Sequence, residues 1–237
     1  MRSNPAAGVR VLGHAPDAPD VQHRAMKRIE LAAVLDAVPD DWRLFFEFLT
    51  HTGLRIGEAI GLTWDDVQLG ERPRVEVRAQ VYRGERKRLK SGYAVRDVPL
   101  SAGMARQLWT LRTASEYRGD SSPVFASARG TVLSPSNVAS RVLKPAASAA
   151  GVEWVSFHSF RHTCASLLFD GGKNVKQVQE WLGHHSAAFT LKTYVHLMDE
   201  GVGAADFLDG VVGNARATEH PEAAGKSAAV QDDRVAV

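Results

Sequence analysis

The sequence predicts a mainly α-helical domain with one small antiparallel β-sheet inserted, an α+β chain. Three observations predict it. Apolar residues recur at three- and four-residue spacing over most of positions 27–200. One run, RVEVRAQVY at 74–82, alternates instead. A polar, turn-like stretch, GERKRLKSG, separates that run from a second extended one, YAVRDVPL at 93–100.

The elements follow in order. From Lys27, Leu31, Val34, Leu35 and Val38 mark a first helix, which Pro39-Asp40-Asp41 ends. Asp40 or Asp41 can cap a second helix with the stripe Trp42, Phe45, Phe46 and Leu49. Gly53 marks a turn, and Ile56, Ala59 and Ile60 indicate a short helix starting near Arg55. Val75, Val77, Ala79 and Val81 then share one strand face, and YAVRDVPL returns as the second strand, ended by Pro99. Ser101 caps a helix carrying Met104, Leu108 and Leu111, and residues 136–150 form another helical stretch. The closing block runs from His158 to about Leu197, with breaks at Gly171-Gly172 and Gly183.

Composition sets the class. The chain has 237 residues, 44% hydrophobic and 24% charged, ordinary values for a globular domain with a sizeable core. No apolar run approaches the length of a membrane span, and the first twenty residues lack the apolar stretch of a secretory signal. The single cysteine, Cys164, cannot form an internal disulfide, which fits a cytoplasmic protein; it lies in an apolar helical run and reads as a small buried residue. Residues 1–25 read as a linker, 26–210 as one domain, and 211–237, poor in large apolar residues, as a disordered tail.

The net charge of +2 makes no bulk case for nucleic acid. Its distribution says more: Arg72, Arg74, Arg78, Arg83, Arg86, Lys87, Arg88, Lys90 and Arg96 face only Glu76, Glu85 and Asp97. Such a stretch either concentrates phosphate contacts or is a solvated, arginine-rich hairpin.

Several polar groups stand among apolar neighbours. Arg55 follows a glycine turn at a helix start, Lys90 lies near a strand turn, and His158 and Arg161 share a helix face at i, i+3 spacing. His184 follows Gly183, and Tyr194 closes TLKTYVHL. Each singly has a structural reading as a cap, a solvated side chain or a core aromatic. As an ordered set they suit one substrate. Guanidinium forks match phosphate oxygens, histidine and lysine move protons, and a tyrosine hydroxyl serves as a nucleophile. The implied reaction is transfer at a phosphodiester, with no metal or other cofactor.

Four motifs carry a resemblance: TGLRIGEA (52–59), LKSGYAVRDVPL (89–100), HSFRHTCASLL (158–168) and LGHHSAAFTLKTYVH (182–196). In order and spacing they resemble the catalytic domain of the tyrosine recombinases, the phage-integrase and Xer-like site-specific recombinases. The resemblance implies that fold and DNA strand cleavage and rejoining through a 3′-phosphotyrosyl intermediate. It implies that Arg55 and Arg161 clamp the scissile phosphate and that Glu58 orients Arg55. Lys90, found by counting back from VPL with Lys87 as the fallback, would protonate the leaving 5′ oxygen. His158 would shuttle a proton, His184 would hydrogen-bond the phosphate, and Tyr194 would be the nucleophile. Arg83, Arg86, Lys87, Arg88 and Arg96 would grip the DNA backbone. Partners implied are double-stranded DNA, a homotetramer on it, and accessory or directionality proteins. Residues 1–25 would be a linker or the remnant of an N-terminal DNA-clamping domain, and AADFL at 204–208 would pack on a neighbouring subunit.

Three rival readings stand beside this one. His158 and His162, at i, i+4 with further histidines downstream, would suit a metal enzyme, but no carboxylates cluster with them and no H-E-x-x-H pattern is present. A truncated, non-catalytic DNA-binding fragment would keep the fold without the chemistry. A type IB topoisomerase shares the chemistry, although the spacing fits the integrases better.

Overall fold

The computed structural model describes residues 24–89, 92 and 94–194. The terminal segments, including the linker, tail and subunit-packing segment expected above, lie outside the described residues. Among the described residues the architecture is helical, with short antiparallel strands inserted between the third and fourth helices.

Helices α1 (Arg28–Ala37) and α2 (Asp40–Thr52) are separated by Val38 and Pro39. Asp40 and Asp41 fall in the first turn of α2 rather than at its cap, which is Pro39. Their charge there faces the positive end of the helix dipole. Phe45, Phe46, Phe48 and Leu49 are buried, and Trp42 packs edge-on against Phe45. The helix stops at Gly53, whose φ of 63° is the left-handed conformation that glycine adopts without steric cost. The short helix α3 (Ile56–Ala59) follows, then a 3₁₀ turn (Trp64–Asp66).

The strands depart from expectation. Strands β1 (Val67–Gln68), β2 (Arg74–Val77), β3 (Ala79–Tyr82), β4 (Glu85–Arg88) and β5 (Arg96–Pro99) form two sheets, one in the order β1-β2-β5 and the other β3-β4. The single run expected over 74–82 changes partner at Arg78. Val75 pairs with Val98 of β5, whereas Val81 pairs with Arg86 of β4. The alternation still holds across the change, with Val75, Val77, Ala79 and Val81 all buried. Part of the stretch read as a turn is strand β4. All four of its residues are exposed, so it carries no hydrophobic period, and backbone pairing with β3 makes it a strand. Arg83 and Gly84, with φ of 53° and 78°, supply the two left-handed positions of a tight hairpin turn.

Helix α4 (Ala102–Ala114) is capped as expected: the Ser101 hydroxyl accepts from the Met104 N–H at 3.1 Å. The helix expected over 136–150 is built in three pieces: α5 (Pro135–Val138), a π-helical turn (Ala139–Leu143) and α6 (Lys144–Ala149). The widened turn ends two residues before Pro145, which has no N–H to give and whose ring crowds the carbonyl four residues back, within that turn. Helices α7 (Phe157–Asp170), α8 (Val175–Leu182) and α9 (Ala187–Tyr194) complete the described chain, and α7 packs along α2. The main core joins α2, the strands and α7. A smaller cluster of Cys164, Ala165, Val178, Leu182 and Tyr194 joins the last three helices. No described helix is long and apolar enough to cross a membrane.

Candidate active site

Arg55 is the N-cap of α3, in extended geometry with ψ of 149°. Glu58, three residues on, reaches back: its Oε2 accepts the Arg55 backbone N–H at 2.9 Å and its Oε1 accepts from Arg55 Nη1 at 3.0 Å. One carboxylate thus caps the helix and holds the guanidinium. Arg55 remains 41% exposed while Glu58 is 1% exposed, so the cation faces outward over a buried anion. Burial opposes the Glu58 charge, but Arg96, Arg161 and Arg55 outweigh it and hold its pKa below the usual carboxylate value.

Arg96 corrects the expectation of a surface cation. Its side chain is 6% exposed and pairs with Glu58, Nη2 to Oε2 at 3.0 Å, while Nε donates to the Trp181 carbonyl at 2.8 Å. A guanidinium so enclosed grips the protein, not a DNA backbone. Sequence reading missed this role. The one signal available was that Arg96 lies two residues before Val98 and so on the same face of the returning strand, the face that Val98 buries.

Arg161 is buried on α7. Its Nη1 donates to the Gly53 carbonyl at 2.7 Å and its Nη2 to the Leu182 carbonyl at 2.6 Å. Those are the C-terminal ends of α2 and α8, where carbonyls carry partial negative charge. Among the described residues these bonds use two of its five N–H groups. Burial and then the Arg55 charge push its pKa down to about 9, so it is still charged at neutral pH. The glycines there are required by space. A Cβ on Gly53 would lie 2.6 Å from Leu182 Cδ2, and one on Gly183 would lie 2.8 Å from Arg96 Nη1.

Gly183, with φ of 67°, ends α8 and turns His184 inward. His184 is buried; its Nδ1 lies 2.8 Å from the Thr190 hydroxyl. Burial, then the charges of Arg161, Arg55 and Arg96, push its pKa down to about 3, so the imidazole is neutral at physiological pH. Tyr194, the last residue of α9, is 2% exposed, its ring 6.2 Å from that of His184 and nearly parallel to it. Burial pushes its phenol up to about 12, against the pull of Arg161 and Arg55. Arg55, Glu58, Arg161, His184 and Tyr194 are therefore coupled in one place, together with Arg96.

His158 sits exposed in the first turn of α7, one turn before Arg161 on the same side. Lys90 lies outside the described residues. Of the hairpin cations, Arg83 sits over the Tyr82 ring at 5.3 Å, Lys87 pairs with Glu85 at 2.9 Å, and Arg88 is exposed. Arg86 turns inward, to the Gly61 carbonyl at 2.8 Å and to Asp66 at 2.7 Å. Arg74 and Arg78 also meet carboxylates, so the basic stretch is partly neutralised within the fold. Cys164 is buried, its thiol pushed up to about 12 by that burial. Among the described residues no three His, Cys, Asp or Glu side chains converge as a metal-holding group.

Two guanidinium groups, a neutral imidazole and a phenol around one spot can bind a phosphate diester and present a nucleophile to it.

Known proteins match this picture. The model of the phage integrase family matches residues 24–200. The chain is 35% identical over 156 residues to the tyrosine recombinase XerC of Corynebacterium glutamicum, covering 65% of this chain and 46% of that protein. It is 37% identical over 169 residues to XerD of Mycobacterium tuberculosis, covering 67% and 50%. The chain spans about half the length of the relatives it matches. By fold it resembles the Tn1549 transposon integrase solved with circular intermediate DNA (TM-score 0.63, 19% identity, 81% of this chain and 67% of that one). It also resembles XerA recombinase (TM-score 0.58, 23% identity, 81% and 65%). With the family model covering three quarters of its length and the four motifs in place, this chain belongs to the phage integrase family, the tyrosine recombinases.

Proposed function

We propose that the chain is the catalytic domain of a site-specific recombinase that cleaves and rejoins double-stranded DNA through a 3′-phosphotyrosyl intermediate. The observation that carries the reading is that Arg161 holds the Gly53 carbonyl, two residues before Arg55, and the Leu182 carbonyl, two residues before His184, whose ring lies 6.2 Å from that of Tyr194.

In the proposed reaction the Tyr194 oxygen attacks the scissile phosphorus and the bond to the 5′ oxygen breaks. The leaving oxygen takes a proton from Lys90, and the phenolic proton passes to His158. Arg55 and Arg161 bind the non-bridging oxygens, and His184 donates a third hydrogen bond. Fixed cationic donors stabilise the crowded, doubly charged transition state more than the diester. A phenol held near 12 is protonated before attack, so the base step accompanies bond formation rather than preceding it. The phosphotyrosyl ester keeps the bond energy, and a 5′-hydroxyl from another strand attacks it, releasing Tyr194. No nucleotide cofactor enters the balance.

Arg83, Lys87 and Arg88 of the β3–β4 hairpin would contact backbone phosphates, which position a duplex without reading it. The working assembly would be a cytoplasmic homotetramer on two recombination sites, with accessory or directionality proteins as further partners.

The test is a nicked suicide substrate carrying the cognate site. Wild type is expected to form a covalent adduct that survives denaturation and is formed in EDTA; Tyr194→Phe forms none. DNA binding by wild type without any adduct would instead favour a non-catalytic fragment.

A further inference from the structure

Thr190 is fully buried one turn into α9, four residues before Tyr194 and on the same face of that helix. Its hydroxyl lies 2.8 Å from His184 Nδ1 and 3.4 Å from the Ser186 carbonyl. A hydroxyl has one proton to give. If Ser186 took it, Nδ1 would have to carry a hydrogen and Nε2 would be a bare acceptor, repelling an anionic oxygen. If Nδ1 takes it, Nε2 carries the N–H. The 2.8 Å contact is a full hydrogen bond in either direction, but the 3.4 Å contact to Ser186 is a marginal one, so the second arrangement spends the hydroxyl proton on the better bond. The Ser186 carbonyl also already accepts from the Thr190 backbone N–H at 3.3 Å.

The rest of His184 is clamped. Its N–H donates to the Gln179 carbonyl and its carbonyl accepts from Gln179 Nε2, both at 3.0 Å. The Phe189 ring meets it edge-on at 5.0 Å. With the backbone and ring plane set, the remaining freedom is which nitrogen bears the hydrogen.

We propose that Thr190 is a positioning residue: its hydroxyl donates to His184 Nδ1, fixes the Nε2–H tautomer, and by the same bond pins the helix that bears Tyr194. The proposal deepens the recombinase reading and rests on His184 being a phosphate ligand. A neutral histidine gives one N–H, so presenting it from the wrong nitrogen would remove the donor from the phosphate without moving the ring. Thr190 acts through His184 and Tyr194 and does not itself touch substrate.

The first measurement needs no variant. Nitrogen and carbon NMR of histidine-labelled full chain reports the tautomer, and His184 is assigned by the signal missing from His184→Gln. The Nε2–H form is expected; a dominant Nδ1–H form overturns the proposal. The second measurement uses the suicide substrate at saturating DNA. Thr190→Val is expected to slow adduct formation about 10–100-fold, as loss of an outer hydrogen bond to a ligand-holding histidine does, with DNA affinity unchanged. Thr190→Ser, which keeps the hydroxyl, is expected to restore the rate to within about threefold and to keep the tautomer. A valine variant with wild-type rate and an unmixed tautomer overturns the proposal, as does a serine variant as slow as valine. A wild type that forms no adduct yet shows Nε2–H supports the hydrogen-bond assignment and overturns the recombinase reading beneath it.

Discussion

Arg96 and Glu58, from strand β5 and helix α3, form a buried forked ion pair: Nη2 to Oε2 at 3.0 Å and Nη1 to Oε1 at 3.3 Å. The same carboxylate holds Arg55 through Oε1. One buried anion therefore serves two cations, one enclosed and one turned outward toward the site. Removing Arg96 leaves Glu58 buried without its forked partner, with the charge of Arg161 and the half-exposed Arg55 as its remaining compensation. Arg96→Met is expected to cost about 3–5 kcal/mol in urea unfolding, the cost of an orphaned buried charge. The double variant Glu58→Gln/Arg96→Met should recover much of that stability, while adduct formation stays slow because Arg55 has lost its holder. An Arg96→Met protein of full stability, with DNA affinity less dependent on salt, would restore the surface-contact role.

Arg161→Lys keeps the charge but cannot bridge the Gly53 and Leu182 carbonyls together and still present a fork. A stability loss of about 1–3 kcal/mol is expected from the carbonyl left unpaired. Adduct formation should fall by roughly 10²–10³. Single-turnover rates on the suicide substrate check the second figure separately from the first.

Gly53→Ala strains a left-handed turn and pushes on Leu182 and Cys164 at once. The backbone term is about 1–2 kcal/mol. Because the Leu182 carbonyl holds Arg161, the cleavage rate should fall along with the melting temperature. A variant that loses stability but keeps its rate would show that Arg161 is held independently of this contact.

Two imidazoles, buried His184 and half-buried His51, set an acid limit. His184 is depressed from 6.5 to about 3 by burial and by the surrounding arginines, and burial also depresses His51, whose Nε2 accepts from the Ser101 N–H. Below pH 6.5 the unfolded chain binds protons that the folded chain refuses, so their contribution to stability is full above that pH and is lost as pH falls through the folded values. Thermal unfolding from pH 7 to pH 4 should show the midpoint falling, with a shallower slope in His184→Gln. An unchanged slope in that variant would assign the acid sensitivity to other groups.

Arg86 ties the exposed β4 strand to Asp66 and to the Gly61 carbonyl beside α3. Gly57 and Gly61 let α3 lie against β3, where a Cβ would meet the Val81 carbonyl at 2.8 Å and Gln80 Cα at 3.1 Å. Arg86→Ala is expected to cost about 1–2 kcal/mol and to speed amide exchange in β3 and β4. If the hairpin carries the proton donor, adduct formation should fall further than DNA affinity does.

The helices were legible because each has an apolar stripe and an end signal: Pro39 before α2, Ser101 before α4, Gly53 and Gly183 at stops. Strand β4 was not, because Glu85, Arg86, Lys87 and Arg88 are all exposed and polar and show no period, and what makes them a strand is backbone pairing with β3. The sheet split was hidden for a related reason: the alternation runs unbroken through Arg78 while the partner strand changes. Thr190 gave no signal at all, since a threonine in a helix has the same pattern whether its hydroxyl faces its own backbone or a histidine.

By itself the sequence determined the residue kinds, their order and their spacing, and from these the helical class, the family likeness and the named site positions. Only the tertiary structure decided which charges face inward. Arg96 and Arg55 are the same residue type 41 positions apart in the numbering. One is enclosed against Glu58 and the Trp181 carbonyl, and the other leans out from a helix cap. Spacing fixes the face of an element on which a side chain lies. Burial, and so the strength and purpose of its charge, depends on what the rest of the chain packs against that face.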